Sequence, residues 1–122
     1  MKIGEIMSQE ILVIHQAEAE KLGEPVAALI PVGEVLALYA TAQDQNSEVI
    51  GAKIGIWESS PGQFRRAVKE REFSHIIQGS CIFTPDEGPS IELKAGDAVL
   101  FPANSQGVWD IKEDLRKTYC IF

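Results

Sequence analysis

A chain of 122 residues, 45% hydrophobic and 24% charged, fits one soluble globular domain that buries roughly two thirds of the surface its unfolded form exposes. With 18 acidic and 11 basic residues the net charge is −7, a field that repels phosphate backbones and argues against a nucleic-acid partner. No apolar run nears the roughly 18 residues of a membrane span, so no membrane partner is expected either.

The opening stretch MKIGEIMSQEILVIHQ mixes acidic with apolar residues and has no small-residue cleavage site. It is not patterned as an export signal, which predicts a cytoplasmic protein. Residues 11–14 read as a short strand and 16–22 as one or two helical turns stopped by Gly23 and Pro25. Pro31, Gly33 and the polar run 43–47 break the chain further. Residues 1–48 are therefore expected to form an irregular extension that packs on the rest or on a dimer interface.

From Val49 onward the texture changes to short β-rich runs. Strands are expected at 52–58, 64–67, 72–77, 81–84, 90–93, 98–101, 106–111 and 116–121. Gly, Pro or Asn residues sit between most of them, at Pro61-Gly62, Gly79, Pro85 to Pro89, Gly96 and Pro102 to Asn104, while 112–114 is a polar break. Short, evenly spaced strands favour an antiparallel sandwich or barrel of the jelly-roll kind. Cys81 and Cys120 lack CxxC spacing and are expected to be reduced thiols within apolar strands. There is no glycine-rich phosphate loop, no GxSxG, and no histidine on a schedule that would activate a thiol.

The most informative stretch is 72–102. Glu72-x6-Gly79 resembles the second half of the first cupin motif, and Gly96-x5-Pro102 the start of the second. Trp57-Glu58, Pro61-Gly62-x-Phe64, Phe101-Pro102-Ala103, Gly107-x-Trp109 and Arg116-Lys117-x-Tyr119 narrow the likeness. Together they resemble the small single-domain cupins related to ureidoglycine aminohydrolase and ethanolamine-utilisation protein Q, over residues 49–122. The resemblance implies an all-β fold, a conical RmlC-like jelly-roll barrel of roughly six to eight antiparallel strands. It also implies a homodimer and a small-molecule pocket in the open end.

Metal-binding cupins hold their ion with two histidines and a glutamate from the first motif and one histidine from the second. Only the glutamate carries over, as Glu72. The histidine positions fall on Arg66 and Val68, or on Arg65 and Ala67 with a longer spacer, and the last falls on Gly107. Asn104 replaces a glycine but can still adopt a left-handed turn. His75 lies on the strand face opposite Glu72, and His15 lies outside the motifs. The expectation is no metal, with Glu72 as the ligand if there is one, and no cofactor beyond a weakly bound divalent ion.

A buried carboxylate costs several kcal/mol unless a cation or hydrogen bonds offset it. Lys117 and Tyr119 share one face of the last strand and can meet Glu72 if that face points inward. The set Glu72, Lys117 and Tyr119 is then either a structural pair or an acid/base centre. Arg66 is either one of a solvated basic run or an inward anion-binding group. Trp57, Phe64, Phe101 and Trp109 read as core packing or as the walls of a ligand pocket. The reading is a barrel that binds a small metabolite, an anion if Arg66 or Lys117 faces inward. One alternative is an enzyme acting on a small nitrogenous or carboxylate metabolite, with Glu72 as acid/base or metal ligand. Another is a non-catalytic accessory subunit.

Overall fold

The computed structural model describes residues 10–122. Residues 1–9, which include part of the opening stretch read as non-secretory, lie outside that range. Among the described residues there are nine strands and no helix, hence none long and apolar enough to cross a membrane. The strands are β1 (Val26–Ala27), β2 (Pro31–Val32), β3 (Leu38–Ser47), β4 (Ala52–Ser59), β5 (Gly62–Arg65), β6 (Glu72–Pro85), β7 (Ile91–Lys94), β8 (Ala98–Phe101) and β9 (Gly107–Ile121).

Two long strands organise the sheet. β9 pairs antiparallel with β6 along one edge, from Glu72↔Ile121 to Pro85↔Gly107. Its other edge takes β4 at the C-terminal half and β5 at the N-terminal half. β3 continues the sheet beyond β4, and β7 and β8 close on the free edge of β6. The result is a curled antiparallel sheet whose concave face is largely apolar, with a small buried polar cluster at one end. Ile76, Cys81, Phe83, Leu93, Phe101, Trp109, Ile111 and Leu115 fill the apolar part. Phe83, Phe101 and Trp109 meet edge to face, with centroids 5.0 to 5.4 Å apart, the geometry aromatic quadrupoles prefer.

The residues at 78–80 and 112–114, expected to be turns, lie inside β6 and β9. The register slips between Ile76 and Cys81, so both strands bend there and run on. Gly79 has φ 87°, and a Cβ on it would collide with the Asp114 carbonyl. Its glycine serves a bend at a close backbone crossing rather than a hairpin. The polar run 43–47 is also strand. β3 bulges between Ala42 and Gln45; Asp44 and Asn46 are exposed, and Gln43, Gln45 and Ser47 bond partners instead of solvent.

Those partners belong to the N-terminal segment. Residues 11–14 form no strand, and 16–22 contain one turn, closed by Ala19 and Glu20 amides on the Gln16 carbonyl at 3.0 Å. The segment is held by side chains. Gln43 bonds both the amide and the carbonyl of His15, at 2.9 and 2.8 Å. Gln45 reaches the Val13 carbonyl at 2.8 Å, and Arg116 donates to the carbonyls of Ala17 and Glu20 at 2.9 Å. Arg116 also pairs with Glu58 at 3.0 Å. Residues 10–22 thus form a strap tethered to β3 and to the outward-facing Arg116 of β9. The sheet also takes in residues before Val49: β1 pairs with β3, β2 with β5, and β3 runs along the length of β4.

Candidate functional site

β6 opens with Glu72, and strand alternation turns Glu72, Ser74 and Ile76 to the concave face, where they are 3%, 0% and 0% exposed. Register decides which residues they meet. Ser74 lies opposite Tyr119 and Ile76 opposite Lys117, so that face of β9 points inward. On the other side of β9, Lys117 lies opposite Trp57. The Lys117 side chain leans along the strand, and its ammonium reaches Glu72 Oε2 at 2.7 Å. It sits 4.8 Å from the ring centroids of both Trp57 and Trp109, so two π faces share the task of replacing water around it.

Arg66 arrives from the other side. It follows β5, with its amide donating to the Gly107 carbonyl at 2.9 Å. Its side chain is 1% exposed and contacts Glu72 Oε1 at 3.2 Å. The remaining guanidinium donors are largely committed to the backbone, at 2.6 Å to Val68, 3.1 Å to Ser105 and 3.4 Å to Glu70. The plane stacks 4.5 Å from the Phe101 ring. Arg66 therefore clamps the loops on either side of Glu72 as well as facing it. Its Nε is buried with no partner. Burial lowers its pKa from the ordinary value against the pull of Glu72, and a guanidinium stays charged regardless.

Burial alone would raise the Glu72 pKa. Lys117, the Ser74 hydroxyl at 2.6 Å and Arg66 outweigh it and hold the carboxyl below its ordinary value. Glu72 is an ionised acceptor with three donors on its two oxygens. Tyr119 is the opposite case: burial, then its hydrogen bond to Asp44 at 2.8 Å, push the phenol up, so it stays protonated at any physiological pH.

These groups line a cavity of about 300 Å³ that opens between β3, β5 and the N-terminal edge of the sheet. Glu72, Lys117, Tyr119, Trp57, Phe64, Arg66 and Trp109 all border it. Trp109 forms its floor with the aromatic cluster and leaves the volume open. Phe101 does not line it and lies behind Arg66. His75 is exposed on the outer face and His15 in the strap, so neither approaches Glu72. Tyr39, Thr41 and Asp44 of β3 were missed, because that segment reads as part of an extension. The available signal was the alternation of Tyr39 and Thr41 with Ala40 and Ala42. Ser74 was legible as the residue two after Glu72 on the same face.

The donor set does not fit a resident transition metal. Among the described residues no group of three or more His, Cys, Asp or Glu side chains converges. Both Glu72 oxygens are taken by cationic or hydroxyl donors. At Gly107, a Cβ would strike the Thr84 carbonyl and the Phe83 ring, so a histidine there has no room. Asn104 does take the left-handed turn, at φ 63°.

A curled antiparallel sheet with a ligand-sized cavity at one end, glutamate on its first motif strand, defines an all-β protein of the cupin class. More narrowly, the chain belongs to the EutQ-like cupin domain family, which matches residues 47–119. No curated protein matches it. Among solved structures it resembles the EutQ protein of Clostridium difficile, with 18% identity over 70% of this chain and 68% of that one, TM-score 0.61. It also resembles a DUF861-family protein of Thermotoga maritima, with 30% identity over 55% of this chain and 76% of that one, TM-score 0.53. A DUF861-family protein of unknown function from Pseudomonas syringae gives TM-score 0.69 at 21% identity, over 84% of this chain but 43% of its own length.

Proposed function

We propose that the protein binds a small anionic metabolite in the barrel cavity. The observation that carries this is the charge balance at its inner end. Two buried cations, Arg66 and Lys117, face one buried carboxylate, Glu72, and leave one positive charge in excess inside a half-enclosed, low-dielectric space. An uncompensated buried charge costs several kcal/mol, and an incoming monoanion would relieve it. Lys117 has three donors and gives one of them to Glu72, so it can bridge to a ligand oxygen.

A binding role is favoured over acid/base chemistry by the state of the carboxylate. A general base near neutral pH needs a free lone pair and a pKa close to the working pH. Glu72 has three donors on its oxygens and a lowered pKa. Tyr119, with its raised pKa, is a poor proton acceptor as well.

The test is a thermal-shift and calorimetric screen with small carboxylates and phosphates of graded size, on the wild type and on Lys117→Met. Monoanions should raise the melting temperature, less so at high salt, and Lys117→Met should lose the response. A screen in which neutral analogues stabilise as well as the anions would overturn the reading.

A further inference from the structure

The wall of the cavity says more about the ligand than its charge does. Tyr39 of β3 and Trp57 of β4 stack with centroids 6.2 Å apart and planes 20° from parallel, and Phe64 of β5 lies 6.1 Å beyond Trp57. These three rings stand in a row along one side of the cavity. Tyr39 and Trp57 are only half-buried, so part of their faces is turned to the space. The Lys117 ammonium sits over Trp57, the middle ring of the row. Any anionic group that reaches Lys117 must therefore lay the rest of its molecule along Trp57 and its neighbours. Ala28, Leu29 and Val68 add apolar lining, while Lys53 and Tyr119 are engaged by Asp44 and Arg65 by Asp86. Outside the Glu72 cluster a polyol or an amino acid would find few uncommitted polar partners, the Thr41 hydroxyl among them, and each group left unpaired carries a cost.

Resting on the anion-binding reading, we infer that the ligand is a flat aromatic monocarboxylate, its carboxylate at Lys117 and its ring along Trp57 and Tyr39. Size agrees. A cavity of about 300 Å³ takes on the order of ten water-sized groups, and a single ring bearing one carboxylate has about that many heavy atoms. Charge agrees too: Lys53 and Arg65 also border the cavity but are paired with Asp44 and Asp86, so the one excess positive charge of the buried cluster suits a monoanion better than a phosphate dianion. Arg66 borders the same cavity, and its buried Nε is a donor without an acceptor. A carboxylate has a second oxygen to offer, and a neutral ring has none.

Both tryptophans of the chain, Trp57 and Trp109, flank Lys117, so intrinsic fluorescence reads the site directly. The test titrates the full-length protein with benzoate, acetate, benzyl alcohol and inorganic phosphate, by calorimetry and by tryptophan fluorescence. Benzoate should bind at least about tenfold tighter than acetate and than benzyl alcohol, as expected when both a ring and a charge contribute. Trp57→Leu should bring the ratio of benzoate to acetate affinity down toward one. This variant keeps the buried charges intact, whereas Lys117→Met strips Glu72 of a partner and can fail through folding alone. Acetate or phosphate binding as tightly as benzoate would overturn the aromatic ring while the anion reading stood. Benzyl alcohol binding as tightly as benzoate would overturn both, and so would the absence of heat from all four at millimolar concentration.

Discussion

Lys117 Nζ and Glu72 Oε2 meet at 2.7 Å across 45 residues of chain, each almost wholly withdrawn from water. Neither group is tolerable there alone. Removing one member of such a pair typically costs 3 kcal/mol or more, whereas replacing the whole group with apolar side chains is often neutral. Glu72→Gln should therefore destabilise the protein by ~3 kcal/mol, measured by urea unfolding, because Lys117 and Arg66 lose their counter-charge. Lys117→Met should cost a similar amount. The double variant should be less damaged than the two single losses together, with a coupling of about 1–3 kcal/mol in the cycle. Additive losses would mean that the contact is not energetically coupled.

The same carboxylate sets an acid limb. Its folded pKa lies below the unfolded value, so the unfolded chain binds more protons as the pH drops and stability falls with it. The contribution is complete above the unfolded carboxyl pKa of about 4.3 and is lost as pH falls through the lower, folded value. Denaturation midpoints should show no change from this group between about pH 6 and 8, and a decline below about pH 4.5. Glu72→Gln should flatten that decline. An unchanged slope in the variant would place the acid sensitivity elsewhere.

At the second motif, backbone space rather than donor chemistry forbids the histidine. Gly107→Ala should lower stability by about 1–3 kcal/mol through overpacking against Phe83 and the Thr84 carbonyl. Gly107→His should be worse and should create no metal site. Elemental analysis of purified protein is expected to give well under one equivalent of zinc, iron, nickel or manganese. A stoichiometric metal would require an ion held without the family's histidines.

The N-terminal strap depends on Arg116, which carries two strap carbonyls and Glu58 at once. Arg116→Ala should loosen the strap around Ala17 and Glu20, with Gln43 and Gln45 still holding His15 and Val13, while the barrel stays folded. Hydrogen exchange and limited proteolysis should accelerate in that segment alone. Uniform acceleration across the sheet would show that the strap is integral to the cooperative unit.

Thiol chemistry should follow burial. Burial, partly countered by Lys117, pushes the Cys81 thiol up to about 11, so little thiolate exists at neutral pH. Alkylation of the native protein should spare Cys81, and mass spectrometry after unfolding should find it newly reactive. Rapid native labelling of Cys81 would contradict its place in the core.

Part of this was legible in the residues. Alternating apolar positions and Gly, Pro and Asn separators gave β4, β5, β7 and β8 to within two residues and both ends of β6 and β9, since both signals act over a few neighbouring residues. By contrast, β1, β2 and β3 were read as an irregular extension. Glu72 was legible as a buried carboxylate because Ser74 and Ile76 follow it on one face. The missing histidines were legible as absences, and the turn at Asn104 from its residue type. The errors share a cause. Gly79 and the polar run 112–114 looked like hairpin turns, because a bend at a strand crossing and a hairpin can use the same residues. The run 43–47 looked like a loop, because its polar side chains meet a strap more than 25 residues earlier in the chain.

By itself, then, the sequence determined an all-β barrel, a lone buried glutamate on its first motif strand, and the need for a cation beside it. Only the tertiary structure decided which cation. The face of β9 that points inward depends on the register with β6, and that register is fixed by burial of Ile76, Trp109 and Leu115 and by bulges in both strands. A shift of one residue would have turned Lys117 outward and Arg116 in. Arg66 likewise took its place through contacts distant in sequence: its amide is held by the Gly107 carbonyl and its guanidinium by the Ser105 carbonyl.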